Sequence, residues 1–222
     1  MLISHKHKFI TVDIPKTGTR SLRETLDGLG IIDVLGKPYK SDDRLKQHAS
    51  ILNIKQGFIE NGWSKYDDYY KYSVVRNPWD RYFSFLTFYK MKADEYSESF
   101  EYPSELAKKQ GEMSVNLFEN KTNTEVLKIL IQNHSAHSHY LLNEVNACEF
   151  NRITLFENLS CGFNEFCLDV GVTPPPLMHS NKSSASALII KKEEVYTQET
   201  IDMVAGKEKW VIDKFNYDFD FY

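Results

Sequence analysis

Short segments in which apolar and polar residues alternate recur along the chain with the two-residue period of a β-strand. The first covers residues 10–14, and Pro15 ends it because proline has no backbone N–H to donate. A further alternating segment lies in 70–76, residues 151–159 are predicted to be a strand that enters a helix, and residues 31–35 are a candidate for another short strand. The pattern therefore predicts strands that are widely separated along the chain.

Apolar residues with the helical spacing of three or four follow these strands. These segments are 22–29 and 163–170. Gly30 and Gly171 follow them and are suited to end each helix in a left-handed turn. After the strand at 70–76, Asn77 is a good N-cap and Pro78 fits the first helical position. The same spacing predicts helices over 51–59 and 197–215.

Because strands alternate with helices, the sequence predicts an α/β protein with a parallel β-sheet flanked by helices. The 222 residues, 41% of them hydrophobic and 26% charged, can bury one substantial core. We expect a single three-layer domain over residues 1–222. The polar segment 92–140, which contains Pro103 and Gly111, is expected to be a helical, lid-like insertion.

The net charge, the N-terminal segment and the cysteines each bear on the class of protein. The net charge of -4 gives no reason to expect a nucleic-acid partner, so an anion site has to be a local cluster of basic groups. The N-terminal segment lacks the apolar run of a signal peptide, and no segment approaches the length of a membrane span. We therefore expect a cytoplasmic protein. The 3 cysteines form neither an even set nor a CxxC pair, which argues against a disulfide framework.

The turn between the first strand and its helix, Lys16 to Ser21, is typical of an anion-binding loop. Gly18 allows close approach of the backbone, the first helical N–H groups point outward, and Lys16 and Arg20 add positive charge. The turn does not match the Gly-x4-Gly-Lys-Ser/Thr pattern of nucleotide triphosphate loops. An ordinary strand-to-helix turn with surface charges is the alternative interpretation.

Three further residues are candidates for the same region. Arg76 leaves the second strand beside a helix N-terminus, and Ser84 lies two turns further on, so the two are predicted to meet a second anion. Alternatively, Arg76 pairs with Asp80 and stabilises the turn. His48, just before the helix at 51–59, is either a surface or capping residue or a group that projects into the site.

The histidines His134, His137 and His139 resemble a metal-ligand set, but no carboxylate or cysteine partner accompanies them at a defined spacing. We therefore predict no metal site and place these histidines at the surface or at the rim of the site.

Two segments together, Ile14-Pro-Lys-Thr-Gly-Thr-Arg-Ser21 and Val75-Arg-Asn-Pro-Trp-Asp-Arg-Tyr-Phe-Ser84, make the chain resemble the carbohydrate sulfotransferases of the heparan 2-O and chondroitin type. The resemblance continues through 46–50, 156–159, 177–183 and 215–219, nearly the whole length of the chain. It implies a P-loop-like sulfotransferase fold. It also implies 3′-phosphoadenosine-5′-phosphosulfate (PAPS) as co-substrate, 3′-phosphoadenosine-5′-phosphate (PAP) as product, and no metal.

The resemblance also implies a role for each matching residue. The residues placed at the 5′-phosphosulfate are Lys16, Thr17, Gly18, Thr19, Arg20 and Ser21, and those at the 3′-phosphate side are Arg76, Ser84, Asn181, Lys182 and Ser183. His48 matches the general base that would take the proton of the acceptor hydroxyl, and Lys16 would neutralise charge on the leaving oxygen. After Ser183 the chain departs from its relatives, which often carry a basic residue and a tyrosine there.

Two other functions remain open from the sequence. A nucleotide-dependent phosphotransferase would use the same strand, loop and helix, and a non-catalytic nucleotide- or glycan-binding module would bind without turnover. A saccharide hydroxyl is the usual acceptor in the family that the chain resembles, although the sequence does not identify the acceptor. The oligomeric state is also not predicted.

Overall fold

The computed structural model describes residues 1–36, 44–63, 65–98, 102, 104–178 and 190–220. The chain forms two compact units, each with its own core. The first unit is Met1–Arg76 with Ala136–Asn181, and the second is Asn77–Ser135 with Lys182–Tyr222. The expectation of one domain over 1–222 with an insertion at 92–140 stays a prediction.

Within the described residues, the first unit contains a five-stranded sheet with the order β3-β1-β2-β4-β5. The strands are β1 Leu2–Ser4, β2 Phe9–Val12, β3 Val34–Leu35, β4 Tyr70–Val75 and β5 Arg152–Leu155. β2, β4 and β5 are parallel neighbours, with Thr11 opposite Tyr72 and Val74 opposite Thr154. β1 pairs antiparallel with both β2 and β3.

The prediction of a purely parallel sheet is therefore wrong, because the sheet is mixed. The residues between β1 and β2 are too few for the crossover that parallel neighbours need, so the two strands form a hairpin. β1 is only 3 residues long, too short to show alternation in the sequence. β2 also ends earlier than predicted, at Val12, whose carbonyl accepts a hydrogen bond from Ser73 Oγ at 2.8 Å.

The helices of the described residues are α1 Thr19–Gly28, α2 Ile51–Glu60, α3 Pro78–Glu98, α4 Glu105–Phe118, α5 Asn123–Asn133, α6 His137–Leu141, α7 Leu159–Asp169, α8 Lys192–Val195, α9 Gln198–Lys207 and α10 Lys209–Phe215. The predicted helix ends are confirmed at Gly30 and Gly171, which have φ of 64° and 70°. The segment predicted as one helix over 197–215 is two helices, divided at Glu208. Among the described residues, no helix is both long enough and apolar enough to cross a membrane.

Helices cover both faces of the sheet in the first unit. On one face, α1 and α7 bury apolar side chains against β1, β2 and β4, and Phe166 of α7 stacks on Tyr72 with ring centroids 4.2 Å apart. Lys71 points to the opposite face, since side chains alternate along β4. Its ammonium lies 4.5 Å from the ring centroid of Tyr66, and that ring contacts Phe58 of α2. The unit is thus an α/β structure with helices flanking its sheet.

The second unit is helical in its described residues, and its core joins α3, α5 and α9. Trp79 and Leu86 of α3 pack with Leu130 of α5 and Val204 of α9. Asn77 Oδ1 accepts from the backbone N–H of Trp79 at 3.1 Å, which confirms the predicted cap and the start of α3 at Pro78. The polar 92–140 segment is therefore mostly helical, through α3, α4, α5 and α6.

A buried ion pair closes the core of the second unit. Arg81 and Glu208 are both 0% exposed, and Arg81 Nη1 lies 2.8 Å from Glu208 Oε1. Arg81 Nη2 also donates to the Ser135 carbonyl at 2.9 Å, and the Tyr82 hydroxyl donates to Glu208 Oε1 at 3.3 Å. Arg81 therefore stabilises the fold through contacts within this unit, although it belongs to the sequence motif that contains Arg76 and Ser84.

Candidate functional site

The turn that joins β2 to α1 has an unusual backbone. Lys16 has φ of 69° and Gly18 has φ of 77°, both in the left-handed region. The Thr17 hydroxyl donates to the Ile14 carbonyl at 2.9 Å, and the Ser21 N–H donates to the Gly18 carbonyl at 3.1 Å as α1 begins. A lysine in this region costs about 1–2 kcal/mol, and such strained residues cluster at functional sites.

Gly18 is required by its surroundings as well as by its φ. A Cβ atom at this position would lie 2.8 Å from Cε2 of Phe156, in the 3₁₀ turn that follows β5. Phe156 therefore packs directly beneath the turn. The sequence indicates that Gly18 allows close approach of a ligand, whereas in the structure an aromatic ring occupies the side where a Cβ would lie.

Arg76 contacts the same turn. It follows β4, the parallel neighbour of β2, and its Nη1 donates to the Lys16 carbonyl at 3.3 Å. Its guanidinium carbon lies 4.5 Å from the centroid of Phe156, a cation–π contact. Its backbone N–H is 3.4 Å from Nε2 of His137, which is fully buried. Asp80, the alternative partner suggested for Arg76, pairs with Lys192 within the second unit.

The two cations at this turn affect each other. Burial, and next the charge of Arg76, lower the pKa of Lys16 to about 8. Both causes disfavour the charged lysine, and an anion near Lys16 and Arg76 would oppose both of them. The helix N-terminus adds partial positive charge in the same place. The arrangement thus suits a phosphate or sulfate group.

His48 contacts the backbone of Asp13, the residue that directly follows β2. Its Nδ1 is 2.7 Å from the Asp13 carbonyl, which can only accept, so Nδ1 carries the proton and Nε2 carries the lone pair. Burial is the main cause that lowers its pKa, assisted by the N-terminal ammonium and Arg23, while the hydrogen bond and charge of Asp13 oppose the shift. His48 is therefore neutral at neutral pH and can act as a base through Nε2. Ser50, not His48, caps α2, so the capping interpretation is wrong.

The remaining predicted residues are found in different places. Thr17, Thr19 and Ser21 are buried in the turn and the first turn of α1, while Arg20 is exposed and pairs with Glu24 at 2.7 Å.

Ser84 lies on α3 in the second unit. The predicted residues Asn181, Lys182 and Ser183 lie outside the described residues. The pair that the structure clearly brings together is Lys16 and Arg76.

Sequence reasoning missed several residues of this site. Asp13 lies in the segment 10–14, whose alternation predicts a strand, but it is 1% exposed and ion-paired with Arg23 at 3.1 Å. His137 was placed at the surface or rim and is buried behind Arg76. The signal for Asp13 was a carboxylate between Val12 and Ile14 in an otherwise apolar strand end. Phe156 was noted only as part of a resemblance.

The fold and this site define an α/β protein with a five-stranded mixed sheet flanked by helices and a cationic turn at the end of β2. Comparison of the chain with protein-family models, with curated proteins and with solved structures gave no match.

Proposed function

We propose that this chain is a sulfotransferase that moves a sulfuryl group from PAPS to an acceptor hydroxyl, with a carbohydrate as the expected acceptor. The observation that supports the proposal most strongly is the convergence of Lys16 and Arg76 at the strained turn before α1. These residues lie after neighbouring parallel strands, where α/β proteins bind their ligands.

The residues present suit an anionic co-substrate. The charge of Arg76 disfavours the charged form of Lys16, and a phosphosulfate bound beside the two residues would relieve this repulsion. The N–H groups at the start of α1 add donors without the cost of burying another charge. PAPS would supply the activated sulfuryl group, while Lys16 would stabilise charge on the leaving oxygen.

His48 would supply the general base that the reaction needs. Its neutral imidazole, with the proton on Nδ1, leaves Nε2 to accept the proton of an acceptor hydroxyl. A positioned base of this kind contributes roughly 10²–10⁴-fold to a rate. Sulfuryl transfer, like phosphoryl transfer, otherwise depends on in-line positioning and charge stabilisation. The implied roles of Ser84, Asn181, Lys182 and Ser183 stay predictions from the resemblance.

Calorimetric titration with PAP tests the proposal, with ATP plus Mg²⁺ in a parallel titration. We expect micromolar binding of PAP, much weaker binding of ATP, and a loss of roughly tenfold or more in PAP affinity in Arg76→Ala. Arg44→Ala is the matched control, because Arg44 forms an exposed pair with Glu60 in the same unit and its removal should leave PAP binding unchanged.

The same titration separates the other two functions. Binding of ATP with Mg²⁺ and no binding of PAP would reject the sulfotransferase and favour a phosphotransferase. Binding of PAP with no sulfuryl transfer to any of a panel of saccharide acceptors would favour a binding module.

A further inference from the structure

The carboxylate of Asp13 is held in place on several sides. Its Oδ1 accepts from the Thr11 hydroxyl at 3.1 Å, and its Oδ2 accepts from Arg23 Nη1 at 3.1 Å and from the Met1 ammonium at 2.7 Å. The side chain is 2% exposed. Because hydrogen bonds to charged groups are stronger than neutral ones, this carboxylate fixes the backbone of residue 13. The carbonyl of that same residue accepts from His48 Nδ1.

Arg23 extends this arrangement to the segment that carries His48. Its Nη2 donates to the Gly36 carbonyl at 3.0 Å, just after β3. Gly36 in turn packs against the backbone of residues 46–47, since a Cβ on Gly36 would lie 3.0 Å from the carbonyl carbon of Lys46. The guanidinium thus joins Asp13 to the backbone on which the His48 segment rests.

We propose that Asp13 and Arg23 are positioning residues that hold the His48 imidazole with its proton on Nδ1 and with Nε2 available as a base. Neither residue touches the reacting groups; they act through the Asp13 carbonyl and through the packing of Gly36 on residues 46–47. The catalytic use of Nε2 rests on the proposed function, whereas the tautomer and the orientation of His48 are properties of the folded protein and can be measured without turnover.

The charges around His48 give the proposal a testable consequence for the His48 pKa. In the part of the chain that the structure describes, the charged groups that act on His48 are Asp13, Arg23 and the N-terminal ammonium, and the Asp13 carboxylate opposes the two cations. Removal of the negative charge should therefore destabilise the imidazolium further, and removal of the guanidinium charge should stabilise it. A side chain that only fills space would not give shifts of opposite sign.

Nitrogen NMR of ¹⁵N-histidine-labelled protein tests the positioning role across a pH titration. In the wild type we expect the neutral His48 ring to carry its proton on Nδ1. In Asp13→Asn the His48 pKa should fall, and in Arg23→Gln it should rise. Arg44→Gln makes the same charge change on an exposed residue and should leave the His48 pKa unchanged.

Arg23→Lys separates charge from geometry, because lysine keeps the positive charge but cannot bridge Asp13 and Gly36. We expect it to restore the wild-type pKa better than Arg23→Gln while the ring signals still broaden from loss of a fixed orientation. If Asp13→Asn does not fold, the His48 pKa and ring signals of Arg23→Gln and Arg23→Lys are compared with those of the wild type. A proton on Nε2 in the wild type, or shifts of one sign in both charge variants, would overturn the proposal.

Kinetics then link positioning to the proposed function. If the wild type transfers sulfuryl groups, Arg23→Gln should lower kcat by roughly 10²-fold with little change in KM for PAPS, since a displaced base affects the chemical step. An unchanged kcat would contradict the positioning role. If the wild type shows no transfer, the proposed function fails, while the NMR result still decides whether Asp13 and Arg23 hold the His48 ring.

Discussion

Lys16 carries two energetic costs at once, a left-handed backbone and a partly buried ammonium whose charge Arg76 disfavours. Neither cost is needed for a simple strand-to-helix turn, because glycine at this position would remove both. Such costs persist where the surrounding structure enforces them and where they serve a ligand. We therefore regard the strained lysine as the residue that most clearly separates an anion-binding loop from an ordinary turn.

Gly18 provides a stability test of the turn itself. Gly18→Ala should lower the free energy of unfolding by about 1–3 kcal/mol, because alanine is strained at φ of 77° and its Cβ would meet the Phe156 ring. Chemical denaturation measures the change. The control is Gly28→Ala at the end of α1, where the added Cβ would meet no described residue within 4 Å outside its chain neighbours and its own helix backbone, so the substitution should be neutral or slightly stabilising. Equal effects of the two substitutions would show that the turn does not require glycine.

For single helices, the sequence predicted the helix ends correctly where one residue determines the backbone geometry. Asn77 and Pro78 start α3, and Gly30 and Gly171 follow α1 and α7 in the left-handed region, all as predicted. These signals depend on backbone donors and φ angles within a few residues. The break at Glu208 has no such local signal in the sequence, and in the fold the Glu208 carboxylate pairs with Arg81, far away along the chain.

The pair formed by Arg81 and Glu208 gives a prediction for the helices of the second unit. Glu208→Gln should lower the free energy of unfolding by about 3–5 kcal/mol, because it leaves a guanidinium buried without its counter-charge. The control is Asp213→Asn on α10, which breaks an exposed pair with Lys209 and should cost less than about 1 kcal/mol. Thermal or urea unfolding compares the two variants. A similar small loss for both would mean that the buried pair contributes little.

At the scale of the whole molecule, the sequence indicated the α/β class and the positions of β2, β4 and β5. It did not indicate the hairpin of β1 and β2, because a strand of 3 residues carries no readable period. For the site, Lys16 and Gly18 were predictable from the turn between β2 and α1, and Arg76 because it directly follows β4. Asp13, Arg23 and His137 were not, since their roles depend on burial and on partners that folding brings together.

If Lys16 and Arg76 form the binding site for an anionic co-substrate, the pKa of Lys16 should respond to that ligand. In the free protein this pKa is about 8, lowered by burial and by Arg76. A bound phosphate would favour the charged lysine, so the pKa should rise when PAP binds, and PAP affinity should weaken as the pH increases beyond 8.

The measurement is a pH titration of the lysine side-chain NMR signals with and without PAP, in which the Lys16→Arg variant identifies the Lys16 signal. The account predicts a clear upward shift of the Lys16 pKa that Arg76→Ala reduces by weakening PAP binding. An unchanged Lys16 pKa in protein saturated with PAP would contradict it, because the anion would then be bound elsewhere.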